Sequence, residues 1–223
     1  MSASGKVHPT SRRLAERLRP NIEGEVLFDR FSRGRYATDA SMYQIEPVGV
    51  IVPKSEDDVR AALEIARQAG VSLLPRGGGT SQSGQTVGRS LVIDFTKHLN
   101  HIVEADTDAR TAIVQPGIVL DELNRQLRAS GLWFPVDVST SAQATLGGMA
   151  GNNSCGSRSI AYGNMVHNVL SIDAVTSAGD RWRFGPMENP TGSAGYLDLV
   201  ARLKKLYQRE KAEIEARFPK VLR

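Results

Sequence analysis

The densest chemistry in this sequence lies in thirteen consecutive residues, Leu73-Leu74-Pro75-Arg76-Gly77-Gly78-Gly79-Thr80-Ser81-Gln82-Ser83-Gly84-Gln85. An apolar run reaches a proline and then breaks into glycines and small hydroxyls. Glycine lets a backbone turn at positive φ and lets a ligand approach the main chain, because no Cβ stands in the way. Successive N–H groups in such a turn converge into a concave nest for anions, phosphate above all. Ser81 and Ser83 offer hydroxyl donors beside them. A flexible surface loop is the competing reading of any glycine cluster taken alone.

Two standard phosphate loops fail here on chemistry. Gly79-Thr80-Ser81-Gln82-Ser83-Gly84-Gln85-Thr86 nearly spells a Walker A motif, but Gln85 stands where a lysine must reach the β- and γ-phosphates. The dinucleotide fingerprint would begin at Gly77 and Gly79, yet Gln82 fills its last glycine position and Gly84 and Gly88 interrupt any helix that should open there. What remains is a backbone-only nest without a catalytic cation, suited to holding a diphosphate still.

The elements that must carry this loop can be read in order. Residues 8–19 form a short basic helix with Thr10 or Ser11 as its cap and Leu14 and Leu18 on one face. Arg30 to Tyr43 is polar and reads as an ordered loop or extended arm. Val48 to Pro53 is an apolar strand, and Ser55 caps a helix through Ala69, with Asp58 at the capping-box position and Gly70 as the stop. Val71 to Leu74 is the strand that delivers the glycine loop, so the β-α-β pattern predicts a parallel pair with a right-handed crossover.

Beyond the loop, Leu91 to Phe95 is a buried strand, and residues 102–105 and 111–115 form a hairpin across a polar turn. Val119 to Ala129 is helical, stopped at Gly131. Residues 133–168 have little periodicity, but interleaved Trp133, Phe134, Leu146, Met149, Ile160 and Tyr162 mark them as ordered. Val169 to Thr176 and Arg181 to Phe184 are strands, and residues 195–217 form a long amphipathic helix.

Within that irregular stretch lies a second concentration of glycine and amide. Pro135 to Thr140 is followed by Thr145-Leu146-Gly147-Gly148-Met149, Gly151-Asn152-Asn153-Ser154-Cys155-Gly156-Ser157 and Tyr162-Gly163. These residues permit close backbone approach and supply amides and hydroxyls for a flat heterocycle rich in carbonyl and ring-nitrogen atoms. A knot of turns that satisfies only its own backbone is the alternative.

Taken in register, Pro75 to Thr80, Thr145 to Met149 and Tyr162-Gly163 resemble the FAD-binding region of the vanillyl-alcohol oxidase and p-cresol methylhydroxylase flavoprotein superfamily. The similarity runs from about Tyr43 to Phe184 and is strongest to the D-2-hydroxyacid dehydrogenases of the D-lactate, glycolate and D-2-hydroxyglutarate types. The arm Ala37-Thr38-Asp39-Ala40-Ser41-Met42-Tyr43 resembles the leading segment of two-part enzymes with a flavin half and an iron–sulfur half.

The resemblance implies an α+β fold. A small parallel β-α-β lobe (45–100) follows an N-terminal helix and arm (1–44), and a larger mixed or antiparallel sheet lobe (101–223) is flanked by helices. It implies that the main chain of Gly77, Gly78, Gly79, Thr80 and Ser81 holds the FAD diphosphate, that Pro75 and Arg76 belong to the cofactor site, and that Gly84 and Gln85 sit near the flavin. Pro135, Ser139, Thr145, Gly147 and Gly148 would line the ring and ribityl chain. Asn152, Asn153, Gly156, Ser157, Tyr162 and Gly163 would continue the pocket, and Ile172 would approach with its main chain.

Some superfamily members attach FAD through a histidine in the glycine loop. Thr80 and its neighbours include none, so the expected FAD is non-covalent. The implied activity is oxidation of a small 2-hydroxyacid to a 2-oxoacid, with hydride passing to the flavin and electrons leaving to a separate acceptor. The substrate arginines, metal-ligand histidines and catalytic base of such enzymes lie in a cap domain. The chain ends at Arg223 without one, so a fragment is expected, and an iron–sulfur cluster would belong to the remainder.

Composition fits this picture. The 223 residues are 40% hydrophobic and 23% charged, as in an ordinary globular domain, and no apolar run has the length of a membrane span. The N-terminal residues lack a signal-peptide core, and the single Cys155 suits a reducing compartment, so a cytoplasmic location is expected, with attachment to the periphery of the inner membrane as a further expectation that composition does not supply. The formal charge of +4 invites a nucleic-acid reading, but the basic residues are scattered among acids, as between Arg202 and Glu213, the look of a solvated helix face, and no nucleic-acid partner is expected. His98 and His101 have metal-like spacing without a third ligand, so they are read as turn histidines. His167, close behind Gly163, is read as a structural hydrogen-bond partner.

Overall fold

A computed structural model describes residues 9–186 and 190–219; His8 of the expected first helix lies outside them. The first helix, α1 (Pro9–Leu18), opens on a proline whose missing N–H suits the first turn. Thr10 and Ser11 therefore fall inside the helix and not at its cap. Leu14 and Leu18 are fully buried, as their spacing predicts.

A four-stranded sheet follows, in the order β1-β2-β4-β3, from β1 (Glu25–Leu27), β2 (Gly49–Val52), β3 (Leu73–Arg76) and β4 (Leu91–Asp94). Both β2 and β3 run parallel to β4, while β1 is antiparallel to β2. The expected parallel pair therefore shares a sheet without touching, because β4 sits between its members. Every residue of β2 and β4 is buried, which demands the two central places. Pro75 in β3 has no N–H to offer a second neighbouring strand, which suits an edge.

The intervening helix α3 (Glu56–Gln68) packs Ala62, Ile65 and Ala66 with Leu14, Leu18, Ile51, Leu91 and Ile93 into the first apolar cluster. Ser55 caps it as expected, accepting from Asp58 N at 3.2 Å, and Gly70 stops it at φ +65°. Asp58 does not complete a reciprocal capping box. Its buried carboxylate instead accepts from Glu23 N (2.8 Å), Gly24 N (3.0 Å) and Lys54 N (2.8 Å), fastening the approach to β1 against the start of α3.

The polar arm is not wholly extended. It opens with a six-residue helix, α2 (Arg30–Arg35), whose cap Asp29 accepts from Ser32 N. A one-turn helix this short leaves little apolar periodicity to read.

A second apolar cluster joins Ile118, Leu120, Leu123, Val136, Ala144, Leu146, Met149 and Met165. It draws on α4 (Leu120–Leu127), α5 (Leu146–Gly151) and α7 (Met165–Asn168), while a third short helix of the stretch read as irregular, α6 (Ser159–Tyr162), buries no residue in it. Because α7 occupies residues 165–168, the following strand shortens to β7 (Ile172–Val175), paired antiparallel with β8 (Arg181–Phe184). The other hairpin joins β5 (Ile102–Asp106) to β6 (Thr111–Val114).

Among the described residues these hairpins stay separate and do not merge into one larger sheet. In the β5–β6 hairpin Val103 is 64% and Ile113 52% exposed, and only Ile102 and Val114 reach the second cluster, while β7 and β8 are joined across the pair by Asp173 and Arg183. The last helix, α8 (Ala194–Arg217), is capped by Ser193 and anchored where Tyr196 meets Trp182 and Phe184 of β8.

Candidate functional site

Between β3 and β4, the glycine loop leaves the sheet edge and meets the second glycine stretch. A Cβ on Gly77 would lie 2.1 Å from Thr145 Oγ1, and one on Gly78 would lie 2.1 Å from the Gln143 carbonyl oxygen. Only glycine allows this approach. Thr145, itself buried, caps α5 by accepting from Gly148 N at 3.4 Å, which places Gly148 in the same junction.

Residues 144–147 are stitched along their other side to the chain before α4. Leu120 N donates to Ala144 O (3.0 Å), Leu146 N to Ile118 O (2.9 Å) and Gly147 N to Pro116 O (2.8 Å). The two glycine stretches thus share one seam, over sixty residues apart in sequence.

Six consecutive amides, Gly77 to Gln82, donate to no acceptor among the described residues. The loop bonds to itself only further along, where Ser81 Oγ donates to Gln85 Oε1 (2.9 Å) and accepts from Ser83 N and Gln85 N. Ser81 therefore organises the turn and is already engaged. Gly79, at φ +66°, turns the chain within this run. Free backbone donors in a glycine-rich loop are what a diphosphate requires, so the residues present fit the group.

Arg76 is not the phosphate's cation. Its guanidinium is half-buried over the Tyr36 ring and donates to the carbonyls of Tyr36 (3.2 Å), Thr38 (2.7 Å) and Thr86 (2.9 Å). Tyr36 in turn donates to Asp94 Oδ2 at 2.7 Å. Burial, with the Asp94 carboxylate beside it, pushes the phenol pKa far up and keeps that proton in place. The arm closes on the loop from the same side. Ala40 N donates to Gly79 O (3.1 Å), Asp39 Oδ2 accepts from Thr86 Oγ1 (3.0 Å), and the Tyr43 ring lies against Gly84. Sequence reasoning assigned no role to Tyr36, Asp39, Thr86 or Asp94; only the Asp39-x-Ser41 turn signal was legible.

The remaining expected residues form a neighbouring group around Asp137. Its carboxylate accepts from Ser157 Oγ (2.7 Å) and Arg158 N (3.0 Å), with Gly156 pressed against it. Arg158 then lies over Trp133, which meets Tyr162 edge-on at 5.3 Å. Asn153, at φ +46°, accepts from Val166 N, and Asn152 donates to Ser154 Oγ. Gly163 packs on His167, whose Nδ1 accepts from Asn164 N, the structural role expected of it. Pro135 and Ser139 flank the buried Val136. Ile172 opens β7 opposite Phe184. No hydrogen bond among the described residues joins this group or Ile172 to residues 75–86.

The Asp137 clamp has a definite pH signature. The Ser157 hydrogen bond, then the Arg158 amide and charge, hold its pKa below the ordinary 3.8. A depressed folded pKa stabilises fully above the unfolded value and is lost as pH falls through the folded one. The stability gap between the parent and Asp137→Ala, read by urea unfolding, is therefore expected to stay constant above pH 3.8 and to close below it. A gap that closes near neutral pH would contradict this.

Comparison with known proteins supplies the family. The FAD binding domain family matches residues 47–185, and the chain belongs to that family. Its fold is the FAD-binding domain of the flavoprotein superfamily that the motifs resemble. An alkyldihydroxyacetonephosphate synthase superposes with a TM-score of 0.71 at 22% identity, over 83% of this chain and 37% of that one. Among relatives, D-2-hydroxyglutarate dehydrogenase of Pseudomonas putida is 35% identical over 91% of this chain and 21% of its own length. Glycolate oxidase subunit GlcD of Bacillus subtilis is 36% identical over 74% of this chain and 36% of its own. The chain thus spans a fifth to about a third of these relatives. None of its described helices is long and apolar enough to cross a membrane.

Proposed function

We propose that this chain is the FAD-holding part of an oxidoreductase that converts a D-2-hydroxyacid to the 2-oxoacid. The observation that carries the reading is the seam at Gly77, Gly78, Gln143 and Thr145, with six amides of the loop left for an outside anion. The names of the relatives supply the substrate class.

In this reading the main chain of Gly77 to Ser81 holds the diphosphate, and Pro75 and Arg76 fix where that main chain begins. Gly84 and Gln85 border the flavin, while Ser139, Thr145, Gly147 and Gly148 line its ring and ribityl side. Pro135, Asn152, Asn153, Gly156, Ser157, Tyr162, Gly163 and Ile172 extend the pocket. Bound FAD supplies the two-electron oxidant, and the protein contributes position and electrostatics. With no histidine in the loop to bond the flavin, the cofactor is non-covalent.

The division into lobes at 45–100 and 101–223 belongs to the same proposal; the second apolar cluster lies within 101–223, whereas the first also takes Leu14, Leu18, Ile22 and Phe28 from the N-terminal segment. A single exposed thiol at Cys155 favours a reducing cytoplasmic setting, free or peripheral to the inner membrane.

The test is anaerobic addition of D-2-hydroxyglutarate, glycolate or D-lactate to the FAD-loaded native protein. Bleaching of the flavin's visible absorbance by one of them is expected. FAD binding without bleaching by any would leave a nucleotide-binding module and refute the dehydrogenase reading.

A further inference from the structure

The free amides of Gly77 to Gln82 are useful to a ligand only if the loop is held in shape, and its internal bonds are few. The holding comes from outside, from the arm at residues 36–43. At the loop's base, Arg76 donates simultaneously to Thr86 O, Tyr36 O and Thr38 O, tying the first and last residues of the loop to each other and to the arm. In the middle, Ala40 N meets Gly79 O. At the end, Asp39 Oδ2 accepts from both Thr86 Oγ1 (3.0 Å) and Thr86 N (3.4 Å), while Oδ1 is fixed by Ser41 N at 2.9 Å.

We propose that Asp39 is a positioning residue for the diphosphate cradle, acting through Thr86 and together with Arg76 to preset the loop for FAD. The proposal rests on the FAD reading above and extends it to a segment outside the glycine motifs.

The physical reason is preorganisation. Binding costs less when the donors are already ordered, because loop ordering is otherwise subtracted from the interaction with the ligand. A simple charge argument predicts the opposite sign. An anion bonded to the end of an anion-binding loop should weaken FAD, so removing its charge should tighten binding. The two accounts therefore separate cleanly.

In the native protein, Asp39→Asn and Thr86→Val are each expected to weaken FAD roughly tenfold, the scale of losing part of a preset loop. Thr86→Ser, which keeps the hydroxyl, should retain parental affinity. Riboflavin, which has no diphosphate, should bind all the variants and the parent alike. Dissociation constants for both ligands, from quenching of flavin fluorescence, decide the matter. Unchanged or tighter FAD binding in Asp39→Asn and Thr86→Val overturns the proposal. So does an equal loss of riboflavin and FAD, which would mark general loosening of the fold. A parent that binds riboflavin but shows no preference for FAD would instead overturn the FAD reading itself.

Discussion

Gly78→Ala is expected to weaken FAD binding at least a hundredfold, about 3 kcal/mol. The added Cβ would stand 2.1 Å from the Gln143 carbonyl oxygen and 2.8 Å from its carbon, both main-chain atoms. No side chain can rotate away, so the loop or the 143–147 segment must move. That segment is pinned on its far side by bonds to Pro116, Ile118 and Leu120, so the loop yields and its amides lose their common focus. Gly78 does not occupy a positive φ, which makes the effect one of space and not of backbone conformation.

Gly88→Ala is the control. It lies in the same connection, and its Cβ would make only ordinary contacts, 3.6 Å to Leu74 and to Ser90. Parental affinity is expected there. Titration of both variants with FAD checks the pair, and a Gly78→Ala protein with unchanged affinity would remove the seam from the cofactor site.

The second large effect concerns stability. Asp58→Ala should destabilise the fold by roughly 3 kcal/mol or more, because three backbone N–H groups lose a charged acceptor at a site only 3% exposed. For a chain of this size that corresponds to a melting temperature lower by about 10 °C. Asp58→Asn should recover little, since its amide nitrogen would face donors where an oxygen now accepts. Ser55→Ala, which removes one 3.2 Å capping bond, should cost only about 1 kcal/mol. Thermal unfolding of the three variants orders them. Asp58→Ala no worse than Ser55→Ala would show that the carboxylate is dispensable to the first lobe.

These expectations mark where sequence reading succeeds. Local physics was legible. Ser55 and Gly70 bracket α3, the Leu14 and Leu18 spacing fixes the buried face of α1, and the continuous apolar runs of β2 and β4 demand burial on both faces. The failure of both lysine-dependent and helix-opening phosphate motifs could also be read directly, because each is defined by residue type at fixed spacing. The three glycine-bearing motifs in register carried the family, which the match over residues 47–185 bears out.

Other features depend on contacts between distant residues, and no local pattern encodes them. Placement of β4 between β2 and β3 follows from which strands tolerate two neighbours, a comparison across the whole sheet. Asp58 obeys the capping-box spacing, yet its carboxylate turns to donors more than thirty residues away. Arg76 is visible in the sequence only as part of the loop motif, while burial and three carbonyls claim its guanidinium as a staple. Asp39 looks like one polar residue in a polar arm until Thr86 is found against it. Residue types and spacing thus determined the family to which this chain belongs and where its glycine-borne backbone donors lie. Tertiary structure alone decided which groups hold those donors in place, because a hydrogen bond depends on proximity in space and not on separation along the chain.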